Sequence, residues 1–146
     1  MPALTYAPAR LWSAAALLAC LAGNALAHTD SWFDTHATPN GGQVRMAGPY
    51  HLELMPPGNE VVVYVTDHGD TKIPTAGWNA HIITLTKGKK TRILLKPAGD
   101  NKLVGKARLQ AGAQAVLNVS PKAGEEYSAR FKPESTQTQP HAAHAH

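Results

Sequence analysis

From residue 43 to residue 131 the chain is cut into short β-type runs by turn residues, and no window there carries the 3.6-residue apolar repeat of a helix. That pattern leaves an antiparallel all-β fold as the expectation. The runs cover residues 43–47, 50–55, 60–66, 71–73, 79–86, 90–96, 102–107, 115–119 and 127–131. Between them stand Gly48-Pro49, Pro56-Pro57-Gly58-Asn59, Asp67-His68-Gly69-Asp70, Lys87-Gly88-Lys89, Pro97-Ala98-Gly99-Asp100 and Ser120-Pro121-Lys122-Ala123-Gly124. Each cluster supplies the glycine, proline or Asx chemistry of a turn. About seven to nine short strands at such spacing predict an antiparallel β-sandwich or a small barrel. Three consecutive valines at 61–63 mark the run at 60–66 as a buried central strand.

The two ends have different compositions. Residues 1–27 place Arg10 before an apolar stretch and end in Ala25-Leu26-Ala27, which is the order of a secretory signal peptide. The apolar stretch is too short for a permanent membrane span, so stable membrane insertion is not expected. A rival reading takes Leu17-Leu18-Ala19-Cys20 as a lipoprotein box with lipid on Cys20. Cleavage after Ala27 leaves an exported chain long enough for one domain with a core. It removes Cys20, the only cysteine, and so leaves neither a disulfide nor a thiolate ligand. Residues 28–40 read as an arm, pinned to the domain if Trp32 and Phe33 find a groove. Residues 41–132 read as the β-domain. Residues 133–146 contain no apolar group able to join a core and read as a disordered, His-rich tail.

The charge argues against nucleic acid. The formal net charge is +4, and Lys87, Lys89 and Lys90 flank Gly88 in what reads as a hairpin tip. Such a cluster is a solvated turn rather than a phosphate-binding stripe.

The histidines carry the functional expectation. All eight lie after residue 27. In the run at 50–55, Tyr50, Leu52 and Leu54 share one face, while His51, Glu53 and Met55 share the other. His51 and Glu53 then stand roughly 6.5–7 Å apart along the strand, a spacing that suits two ligands of one ion, or a ligand and its orienting carboxylate. The opposing expectation is a solvated pair on the outside of a sheet. His68, in its turn, falls near the far end of the same hairpin, toward Met46, and His36 on the arm is able to fold over that end. Imidazole with thioether favours copper, whereas imidazole with carboxylate suits zinc. His81 reads as a half-buried histidine held by backbone. His28 becomes the first residue after cleavage and offers its α-amine and ring nitrogen to one ion. His141, His144 and His146 give the tail a weak second site.

Gly41-Gly42, Tyr50-His51-Leu52-Glu53-Leu54, Val63-Tyr64-Val65-Thr66-Asp67-His68 and Leu95-Lys96-Pro97-Ala98-Gly99 together carry a resemblance. The chain resembles small exported proteins, and related domains, that accompany heavy-metal efflux systems of the resistance-nodulation-division type and their periplasmic adaptor subunits. The resemblance covers residues 41–131. It implies an all-β periplasmic domain that handles copper, silver, zinc or a similar ion.

The expected function is therefore a periplasmic transition-metal-binding protein that buffers or delivers metal in a resistance or efflux pathway. The metal is copper first, with zinc or silver as alternatives. Its partners would be the ion and efflux adaptor or pump components. The alternative is an adaptor-like β-domain that touches an efflux complex and binds metal only incidentally. An enzyme is not expected, since the sequence has no cysteine nucleophile after residue 27, no Gly-x-Ser-x-Gly elbow and no phosphate loop.

Overall fold

A computed structural model describes residues 30–133. The described chain begins with a one-turn helix, α1 (Asp30–Phe33), and continues as eight strands. These are β1 (Gln43–Ala47), β2 (Tyr50–Leu54), β3 (Val61–Asp67), β4 (Asn79–Thr86), β5 (Lys89–Pro97), β6 (Lys102–Gly105), β7 (Gln114–Ser120) and β8 (Tyr127–Phe131). All neighbours are antiparallel, in the order β1-β2-β3-β6-β5-β4-β7-β8, and the sheet curls into a nearly closed barrel. The all-β expectation is met, and between sandwich and barrel the chain takes the barrel.

Local chemistry accounts for the hairpins. Lys87 and Gly88 both have positive φ, 48° and 77°. That is the backbone of a tight two-residue connection whose twist matches its flanking strands, and it joins β4 to β5 from Thr86↔Lys89 onward. Gly48, at φ 59°, with Pro49 behind it turns β1 into β2. The run at 71–73 does not become a strand. Its pairing is a single bridge, Thr66↔Lys72, because Pro74 has no backbone N–H to continue a ladder.

Inward-facing residues alternate along every strand and fill the interior. Leu52, Val63, Val65, Ile82, Leu103, Leu117 and Val119 are fully buried. One polar pair stitches the loops to this core. The Asn101 side chain donates to the carbonyl of Val65 at 2.9 Å, and the Thr75 hydroxyl donates to that of Lys102 at 2.9 Å. Both groups are buried, so each needs such a partner.

Closure depends on the meeting of β1 and β8. The backbone N–H of Lys132 donates to the Gln43 side chain at 3.1 Å, and the Tyr127 ring lies flush against the Cα of Gly48. A methyl group at Gly48 would strike that ring while also occupying a left-handed backbone. Gly48→Ala should therefore cost about 1–3 kcal/mol, read as a lower midpoint in urea unfolding with an unchanged slope. A midpoint within error of the parent would show that Tyr127 yields without cost.

Candidate functional site

The outer face of β1, β2 and β3 is not open to solvent where His51 stands. The register places Met46 on β1 directly opposite His51, and Thr66 on β3 directly opposite it on the other side. One step along, Val44, Glu53 and Tyr64 form the parallel row. Directly opposed residues share a face with Cβ atoms about 4.5–5.5 Å apart, so these six side chains form one surface. Over it lies the arm. Phe33 of α1 meets the His51 ring edge-on at 4.9 Å, and His51 and Glu53 retain only 6% and 4% of their exposure. The expectation of a solvated outer-face pair is corrected on this point, because β2 is buried on both sides.

The arm is held by charge and by backbone. Asp30 caps the edge of β1 by accepting the N–H of Met46 at 3.1 Å, and Arg45 reaches Asp34 at 2.8 Å. Further along, Glu53 holds the turn that leads into β1. Its carboxylate accepts from the backbone N–H of Asn40 at 2.9 Å, from the Asn40 side chain at 2.8 Å and from the backbone N–H of Gly42 at 2.9 Å. Gly42 has no room for a side chain here, since a Cβ would lie 2.6 Å from the Leu54 carbonyl oxygen. Three donors occupy most of what one carboxylate accepts. In this arrangement Glu53 serves the arm.

The histidines divide into two groups. His68 stacks on His51 with ring centroids 4.8 Å apart and planes 24° from parallel. The Asp70 carboxylate stands 3.8 Å from Nδ1 of His51, an ion pair only when the ring is protonated. Asp67 closes the same loop. The backbone N–H of Thr71 holds its carboxyl below the usual carboxylate range against the opposing effect of desolvation, and the backbone N–H of Gly69 adds to the lowering. His68 is thus brought against His51, and Met46 is the cross-strand neighbour of His51 on β1. His36 is not brought to His51. It stacks on Trp32 with centroids 3.9 Å apart, and its Nδ1 lies 2.7 Å from the Trp32 carbonyl oxygen. That contact requires the proton on Nδ1. Trp32 in turn meets Phe33 at 5.2 Å, so two aromatic rings separate His36 from His51.

Among the described residues no group of three or more His, Cys, Asp or Glu side chains is placed to hold a metal ion. Met46 adds a thioether-bearing side chain opposite His51 in the β1–β2 register. His28, His141, His144 and His146 lie outside the described residues. His81 stands elsewhere, half-buried on the outer face of β4. Burial, and then Arg92, push its ring below the ordinary histidine value, while Glu126 acts against them.

Phe33, Tyr64, Thr66 and Asp70 line the cleft around His51 and Glu53. Sequence reasoning did not place Asp70 or Tyr64 there. Only the pairing of Trp32 and Phe33 on a polar arm hinted at a cover. No described helix is long and apolar enough to cross a membrane. Compared with known proteins, the chain matched no family model, no curated protein and no solved structure.

Proposed function

We propose that the protein is an exported copper-binding protein that holds the ion with His51, His68 and Met46 at the covered end of the β1–β2–β3 surface, and buffers or passes it on in a metal-resistance pathway. One observation carries the reading. Met46 faces His51 across the β1–β2 ladder, and the His68 ring lies 4.8 Å from that of His51. Two imidazoles and a thioether are a soft, neutral donor set that suits copper better than a hard cation. The Phe33 cover limits water around His51, which favours a singly charged ion over a strongly hydrated one. The stacked rings do not aim at one point, so loading requires a turn of His68. Its exposed loop leaves it free to make that turn. Zinc or silver would use the same donors, with Asp70 close enough to join for zinc.

The test is a Cu(I) competition titration on the chain with His141, His144 and His146 replaced by alanine, which silences the tail without shortening it. His68→Ala and Met46→Leu should each weaken binding by about tenfold or more, with circular dichroism unchanged. His51→Ala should weaken it further, though it also empties space beneath Phe33. If His68→Ala and Met46→Leu bind copper as tightly as the parent, the site is wrong.

A further inference from the structure

β5 is only partly clothed by neighbours. It pairs with β4 over its length from Lys89 to Leu95, but with β6 only at Lys96 and Pro97. Gly105 ends β6 close beneath the backbone of Leu94, where a Cβ would lie 2.8 Å from the Leu94 carbonyl oxygen. Beyond that point the chain leaves the sheet, and Leu109 turns into the core. Among the described residues, positions 89–93 therefore present a strand edge with no strand beside it. Lys89, Lys90, Thr91 and Arg92 are all exposed, and Leu94 keeps 63% of its surface. A free edge of this kind offers unpaired backbone donors and acceptors in ladder spacing.

The charge around the edge is predominantly basic, although Glu126 lines the same shallow pocket as Arg92. Residues 71–124 contain ten Lys and Arg but a single acid, Asp100, and that acid already pairs with Lys72 at 3.1 Å. Lys89, Lys90 and Arg92 take part in no ion pair among the described residues. Lys106 and Arg108 follow Gly105, where the chain departs from β5. Because Ile93 and Leu95 point into the barrel, Lys90, Arg92 and Leu94 occupy the outer face together. Edge lysines repel a second copy of the same edge, which is their usual protective effect. The same field attracts a strand of opposite charge.

We propose that the open edge of β5 receives an extended acidic segment of a partner protein as an added strand. Backbone hydrogen bonds along residues 89–93 supply the ladder, and Lys90 and Arg92 pair with acidic side chains at alternate positions of the incoming strand. Leu94 packs against an apolar residue at the next alternate position.

Fluorescence polarisation on the mature full-length protein tests this with a short labelled peptide alternating Glu and Val. Three comparison probes are its Lys-for-Glu counterpart, a copy N-methylated at alternate backbone nitrogens, and a single-stranded DNA oligonucleotide. The acidic peptide should bind and the lysine peptide should not. N-methylation should weaken binding about tenfold or more, since it removes ladder donors. Joint Lys90→Glu and Arg92→Glu substitution should weaken it by a similar factor, with circular dichroism confirming an intact fold. No binding of the acidic peptide would overturn the proposal. So would equal binding of its N-methylated copy or of the DNA, because the surface would then be a general polyanion site without strand addition.

Discussion

Glu53→Leu is expected to destabilise the protein by about 3 kcal/mol, a fall of roughly 10–20 °C in melting temperature for a domain of this size. The carboxylate accepts three hydrogen bonds, two of them from backbone groups of Asn40 and Gly42. Leucine fills similar space but leaves those donors without a partner on a surface where water is largely excluded. Hydrogen bonds to a charged acceptor are the stronger kind, and stranding a buried donor adds its desolvation cost. Glu53→Gln keeps one acceptor oxygen and should cost about half as much. The substitution should also loosen the arm, so limited proteolysis between residues 34 and 40 should accelerate before the barrel unfolds. Were Glu53 a solvated outer-face residue, the same change would fall within about 0.5 kcal/mol of the parent. A melting temperature unchanged by Glu53→Leu would restore that view and remove the carboxylate from the account of the arm.

Leu52→Ala is expected to cost about 3–4 kcal/mol, whereas Leu94→Ala should stay within about 0.5 kcal/mol. Both are leucines in the middle of strands. Leu52 is fully buried at the centre of the core, and Leu94 stands outside the barrel with 63% of its surface exposed. Removing the Leu52 side chain forfeits its burial and leaves a cavity that the surrounding curled sheet only partly fills by relaxing. Removing that of Leu94 gives up little contact. Urea unfolding of the two variants separates them directly. Comparable losses at both positions would mean that the outer surface of β5 is covered by something, and would bear on the proposed strand addition as well.

Much of the architecture can be read from residues in sequence order. The alternation of Leu52 and Leu54 with His51 and Glu53 defines the faces of β2, and the register of β1, β2 and β3 follows from turns at Gly48 and around residues 56–60. The β4–β5 hairpin follows from Lys87-Gly88. These are local facts, because a turn type and a period of two involve only neighbours along the chain.

What lies outside β2 is a different matter. Alternation says which side chains oppose which, but not whether the second face meets water. That was decided by α1, whose four residues carry no periodic pattern of their own and dock through Asp30 and Phe33, with Asp34 just beyond the helix adding an ion pair to Arg45. The same limit separates His36 from His68. Both lie within reach of His51 along the chain, yet His36 is taken by Trp32 while His68 reaches the ring. Strand order is also beyond local signals. β6 lies between β3 and β5, and β1 comes up against β8 to leave the barrel nearly closed. The sequence by itself determined strands, turns, faces and the donors available to a metal. Only the tertiary structure decided which donors meet, which face is covered and where an edge stays open, since each depends on contacts between segments far apart in the chain.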